Sequence, residues 1–189
     1  MLIVLTLGVS RPANKTSQVG MVSKAFEYLK GQREYRDSKN GRRLTDRKKL
    51  MSIWLQNYAT ALRPKLKSIR LEVPIDWAQL QLRPDEIWGG EAAAANLLIE
   101  GYPIPKELKL FIHTSLNERA KELSVKVNSQ GKLWITRTFW RVTLKLNHSG
   151  KAMLCIAELI ASGDDRNIET ARMINDKYLN LKEGSISRY

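Results

Sequence analysis

The sequence predicts an α+β protein in two parts, a small basic helix-and-hairpin module followed by a larger mixed α+β domain. Three observations carry this expectation. Positive charge is concentrated early: residues 1–75 hold 16 Lys and Arg against five Asp and Glu, a surplus of +11, whereas residues 76–189 hold 16 against 14. An amphipathic helical stripe near the start runs into an Arg-rich stretch centred on Asn40-Gly41. Beyond residue 68, segments of helical period alternate with segments of period two, and neither kind dominates.

The 189 residues accommodate one medium domain, or a small one and a larger one. An apolar share of 43% supports a packed core. The net charge of +13 bears on partners rather than fold, and nucleic acid is the commonest polyanion. The single cysteine, Cys155, lies in the apolar run 152–161 and can form no internal disulfide, which fits a reducing cytoplasm. It reads as a small buried hydrophobe rather than a nucleophile. Residues 1–9 are apolar but lack a basic flank before them, since Arg11 and Lys15 follow the run, and nine residues cannot span a bilayer. They read as a short buried strand or helix, or as the stump of a longer N-terminus. A cytoplasmic protein with no membrane partner is expected.

Residues 16–30 carry the first strong helix, with Val19, Val22, Phe26 and Leu29 on one stripe and Thr16 or Ser17 as N-cap. In residues 31–47, Asn-Gly is a strong hairpin signal, flanked by Tyr35-Arg36-Asp37 and Arg42-Arg43-Leu44 as short strands. An apolar-backed helix leading into a basic hairpin is the pattern of a winged helix-turn-helix, here assigned to residues 1–46. Such a module puts its recognition helix in the major groove of double-stranded DNA. The residues offered there are Ser17, Gln18, Gly20, Met21, Ser23 and Lys24. Gln18 suits adenine, Met21 a thymine methyl and Lys24 a guanine edge or a phosphate, while Gly20 permits close backbone approach. In the wing, Arg36, Lys39, Arg42 and Arg43 suit phosphates or the minor groove.

Asp46 can cap the next helix, 47–62, whose apolar face uses Leu50, Trp54, Tyr58 and Leu62 with Met51 and Leu55 alongside; Arg63-Pro64 ends it. Residues 47–67 form a linker helix. Arg63, Lys65, Lys67 and Arg70 either extend the basic surface or keep the linker soluble. The α+β domain, 68–189, is expected to contain a strand at 68–74 and a helix at 85–100 with Trp88, Ala92 and Ala95 on one side. A strand at 108–113 and a short helix at 116–123 follow. Residues 125–146 alternate as two or three antiparallel strands broken at Ser129-Gln130-Gly131. Residues 153–161 are a buried helix; Ser162-Gly163-Asp164-Asp165 breaks it and caps a last helix at 167–181.

For an enzyme the sequence offers little. Glu91, Glu158, Asp164, Asp165 and Glu169 supply carboxylates for a metal-dependent nuclease, but no Asp, Glu-x-Lys constellation lies on adjacent strands, and Glu122 and Lys126 are a loose pair. Glu91, Asp164 and Asp165 are explained by helix starts, where negative charge suits the macrodipole. Neither His113 nor His148 has metal-ligand spacing. Trp88, Trp134 and Trp140 read as core. No catalytic residue, metal or cofactor is expected.

Taken together, the helix at 16–29 with Arg42-Arg43-Leu44-Thr45, residues 50–67, Ile87-Trp88-Gly89-Gly90-Glu91, Thr138-Phe139-Trp140 and residues 159–177 resemble the AbiEi family, the antitoxins of type IV toxin–antitoxin pairs. The helix at 16–29 followed by Arg42-Arg43-Leu44-Thr45 resembles the second half of a bacterial winged helix-turn-helix. Residues 50–67, with Trp54, Tyr58 and Leu62-Arg63-Pro64-Lys65-Leu66, resemble the family's linker helix. Ile87-Trp88-Gly89-Gly90-Glu91 followed by alanines is similar to its Trp-Gly-Gly-Glu element, and Thr138-Phe139-Trp140 to its Phe-Trp strand end. Residues 159–177, beginning Leu-Ile-Ala-Ser-Gly-Asp-Asp-Arg, resemble its C-terminal signature. The elements come in the family's order across residues 16–181. Two departures stand out: Ile156-Ala157-Glu158 replaces the family's Tyr-Ala-Asp, and residues 1–15 are short for the module's first helix. The resemblance implies repression of the protein's own operon through operator repeats, and antagonism of a nucleotidyltransferase-like AbiEii toxin without a need for stable contact. Two other classes compete: a protein-interaction module without DNA binding, and a metal-dependent nuclease.

Overall fold

The computed structural model describes residues 35–38, 41–73, 77–98 and 104–180. The expectations for residues 1–34, including the first helix and the apolar start, lie outside the described residues. Within them are five α-helices, a two-stranded hairpin and a four-stranded mixed sheet.

The hairpin forms where the Asn-Gly signal puts it. Strand β1 (Tyr35–Ser38) pairs antiparallel with β2 (Gly41–Leu44), and Ser38 stands opposite Gly41. Gly41 therefore opens β2 rather than sitting inside the turn, one position on from the simplest Asn-Gly reading.

Helix α1 (Arg47–Asn57) starts at Asp46, whose carboxylate accepts from the Lys49 N–H at 2.9 Å. This occupies one backbone donor that the first turn would otherwise leave open. Leu50, Met51, Trp54, Leu55 and Tyr58 are buried along the stripe read from the sequence. The helix does not run evenly to Leu62. It widens into a π-turn over Tyr58–Leu62, where the Arg63 N–H reaches the Tyr58 carbonyl, and tightens into a 3-10 turn at Arg63–Lys65. Pro64 has no N–H to continue an α-helix.

The sheet is ordered β3-β6-β5-β4. Strand β3 (Ser68–Leu71) lies antiparallel to β6 (Leu133–Arg137), β6 parallel to β5 (Leu108–Ile112), and β5 antiparallel to β4 (Ile87–Gly89). Two expectations are corrected here. The helix expected over 85–100 begins only at Gly90: β4 precedes α2 (Gly90–Leu97), because Gly90 turns the backbone at φ +54°. The two or three antiparallel strands expected over 125–146 are one strand, β6, inserted between two partners distant in sequence, plus a single bridge from Val127 to Leu71. Alternation identified the strand but carried no information about its partners.

One face of the sheet is apolar. Ile69, Leu71, Leu108, Leu110, Ile112, Leu133 and Ile135 pack with Trp77, Trp88, and Leu116 and Ala120 of α3 (Leu116–Glu122). The other face carries the row Arg70, Trp134, Lys109 and Gly89, directly opposite one another. Helix α4 (His148–Ser162) lies over the Gly89 and Phe111 end of that face, buried from Ala152 to Ile160. Ala93 and Ala94 of α2 share its core with the α1 stripe. Gly163, at φ +72°, ends α4, and Asp164 caps α5 (Asp165–Ile174), which continues into a π-turn at Asn175–Leu179.

Candidate functional site

Of the residues expected to meet DNA, Ser17, Gln18, Gly20, Met21, Ser23, Lys24 and Lys39 lie outside the described residues. The other three are on the hairpin: Arg36 stands opposite Arg43, and Asp37 opposite Arg42. The cap residue Asp46 follows the second strand closely, so the hairpin leads straight into α1.

At the far end of α1 the chain builds a charged junction that sequence reasoning missed. Glu158 of α4, 3% exposed, is the common acceptor. The Tyr58 hydroxyl donates to its Oε1, as does Lys109 Nζ at 2.8 Å, while Arg63 Nε reaches Oε2 at 3.0 Å. A buried carboxylate is tolerated when its lone pairs are all engaged. Burial, and then the negative charge and hydrogen bond of Glu158, hold the Tyr58 phenol well above its ordinary value. Burial lowers the Lys109 ammonium, against the opposing pull of Glu158. The junction ties the π-turn after α1 to both β5 and α4.

The Trp-Gly-Gly-Glu element is the corner beside this junction. Trp88 packs into the apolar side of the sheet, edge-on to Trp77 with centroids 5.6 Å apart. Gly89 has no room for a side chain, since a Cβ would stand 2.6 Å from Phe111 Cε2. Glu91 receives the Asn167 amide at 2.9 Å and, on its other oxygen, the Lys106 N–H, and that oxygen forms an ion pair with Arg166 Nη2 at 2.9 Å. Its position at a helix start is as read from the sequence; its additional role is to bind the β4–α2 corner to α5.

Between these groups lies an open cleft of about 490 Å³. Its lining includes Arg63, Lys109, Glu158, Glu91, Glu107 and Trp134, with Asn167 and Ser162 from the α4–α5 corner. Arg70 lies over the Trp134 ring at 4.5 Å and bonds Glu107 at 3.2 Å. Trp134 is thus a half-buried platform at the cleft rather than core, whereas Trp140 packs against Phe111 and Phe139.

The remaining chemical candidates are engaged elsewhere. Asp164 caps α5 and its carboxyl is held below its ordinary value, first by the hydrogen bond from Lys106. Glu122 bonds Arg83 and Arg119, and Glu169 bonds Arg172. His113 meets Thr138 at 2.7 Å, and burial lowers its pKa. Cys155 is fully buried with its thiol pushed up by desolvation, in keeping with a packing role. Among the described residues no three His, Cys, Asp or Glu gather as a metal site, and no helix is long and apolar enough to cross a membrane.

The junction left a signal in the sequence. Lys109 is the one charged residue of the strand Leu-Lys-Leu-Phe-Ile, and Glu158 is the one charged residue of the run 152–161. Opposite charges placed singly in two otherwise apolar segments are candidates for each other.

A family model described as transcriptional regulator, AbiEi antitoxin, type IV TA system, matches residues 43–180. The chain belongs to this AbiEi family. The match takes in α1, the Trp-Gly-Gly-Glu corner, the Phe-Trp segment and the α4–α5 segment, so the resemblance read from those motifs is correct. Glu158, one of the two residues that depart from the expected Tyr-Ala-Asp, is the centre of the charged junction in this AbiEi protein. Neither the curated proteins nor the solved structures yielded a match.

Proposed function

We propose that this AbiEi protein is a DNA-binding repressor and the antitoxin of a type IV pair. It autoregulates its operon through operator repeats and counteracts a nucleotidyltransferase-like AbiEii toxin. One coincidence carries the reading: a chain of a regulator family places a +11 surplus in residues 1–75, largely ahead of and within the first elements of the family match. In this reading residues 1–46 are the winged helix-turn-helix, 47–67 the linker helix and 68–189 the antitoxin domain. Ser17, Gln18, Gly20, Met21, Ser23 and Lys24 read base edges, and Arg36, Lys39, Arg42 and Arg43 hold phosphates or the minor groove. The protein acts in the cytoplasm.

Gel shifts against the DNA upstream of its own gene test this; equal affinity for scrambled DNA refutes sequence-specific repression. Gln18→Ala with Lys24→Ala should lower operator preference. Arg42→Ala with Arg43→Ala should instead weaken binding to all DNA and reduce the salt slope by about two.

One observation favours a second reading, in which the protein neutralises its partner without touching DNA: the family match begins at residue 43, after most of the basic module. Rescue from the toxin by a full-length chain that shifts no DNA would select it.

A further inference from the structure

We propose that the cleft between β5, β6 and α5 is a binding site for a guanidinium group, independent of the DNA-binding reading. In a chain of net charge +13 the simple expectation is an anion. The cleft lining contradicts it. Three carboxylates, Glu91, Glu107 and Glu158, face two cations, Arg63 and Lys109, and both cations already bond to Glu158. An incoming anion would have to displace Glu158 from both cations, since Glu91 and Glu107 are themselves already paired, with Arg166 and Arg70.

An incoming donor meets the opposite situation. Asn167 is 2% exposed and lines the cleft. Its Nδ2 donates both to Glu91 and to Ser162 Oγ, at 2.9 and 3.0 Å, which fixes the amide orientation. Its Oδ1 is therefore an acceptor, and among the described residues it has no hydrogen-bond partner. A buried acceptor left in that state has lost its water without a replacement donor. Glu107, 55% exposed, gives Oε1 to Arg70, and its second oxygen carries no hydrogen bond from the described residues.

Trp134 adds an aromatic wall beside these acceptors. A planar, weakly hydrated cation that stacks on indole and forks toward two oxygens is a guanidinium rather than an ammonium. Arg70 over the Trp134 ring shows that this indole accepts such a partner. The group is supplied either by a free arginine-like solute or by an arginine of a partner chain.

The test is titration of the full-length protein with agmatine, followed by amide and indole N–H resonances. Saturable shifts at Trp134, Asn167 and Glu107, with Kd of about 1 mM or tighter, are expected. Glu107→Gln and Trp134→Leu should each weaken binding about fivefold or more, while Glu118→Gln, on the exposed side of α3, should leave it unchanged. The pentapeptide Gly-Gly-Arg-Gly-Gly distinguishes the sources: tighter binding than agmatine indicates a partner chain, equal binding a free solute. Unchanged agmatine affinity in Glu107→Gln overturns the proposal. So does inorganic phosphate shifting these resonances where agmatine does not.

Discussion

Two buried glutamates, Glu86 and Glu158, neutralise cations in different ways. Glu86 faces one arginine: Arg119 Nε stands 2.7 Å from Oε1 and Nη2 2.8 Å from Oε2, and the Arg83 N–H completes the set. Arg119 also reaches the Gln81 carbonyl, so the pair staples the loop before β4 to α3 and leaves no surface for anything else. Glu158 has two cations and a phenol, drawn from two separated segments, and one wall of its surroundings is open cleft. The first arrangement secures a loop. The second fixes how the segment after α1 is attached to β5 and α4.

The comparison can be broken by mutation, and the largest effect should come from Glu158→Ala. It strands Lys109, 15% exposed, and removes the anchor of the segment after α1. Loss of about 4–5 kcal/mol in chemical denaturation is expected, with faster amide exchange across 47–57. Glu86→Ala should cost less, about 3 kcal/mol, because Arg119 keeps Glu122 and the Gln81 carbonyl, and exchange in α1 should not change. Equal loss of α1 protection in both variants would show that the two glutamates are alike.

Tyr58→Phe sharpens the contrast by removing only the phenolic hydrogen bond, at a cost of about 1.5–3 kcal/mol. Its signature is alkaline. The Tyr58 phenol is raised in the fold, so the folded protein retains a proton that the unfolded chain releases above its ordinary value of 10.0. Stability present below that pH is lost as pH climbs toward the folded value. Lys109 has the opposite sign, since its folded value is lowered: stability rises with pH up to its ordinary 10.5 and then levels. Subtracting the Tyr58→Phe profile from the parent should leave a decline confined to pH above 10; a flat difference would remove the phenol from the junction. The smallest effect belongs to Arg172→Ala. Its partner Glu169 is 65% exposed, and loss of about 0.5 kcal/mol or less sets the floor against which both glutamates are judged.

What the sequence disclosed follows the range of each interaction. The Leu50–Tyr58 stripe, the Asp46 and Asp164 caps, the Gly163 stop and the Asn-Gly hairpin are local, and all are present as read or within one position. Strand β4 was hidden because Ile87-Trp88 continues smoothly into the alanines, and only the positive φ of Gly90 divides them. The partners of β6 were hidden because register across a sheet is set by distant strands. Tyr58 and Glu158 are 100 residues apart, and no periodicity within either segment connects them.

That separation has a consequence for synthesis. The apolar stripe of α1 shares one core with Met153, Leu154 and their neighbours in α4, about 100 residues later in the chain. A ribosome therefore delivers this greasy stem well before the helix that completes its core. Each newly made copy passes through an interval in which protease or chaperone competes for that stem, and a message cut short before α4 yields a product destined for clearance.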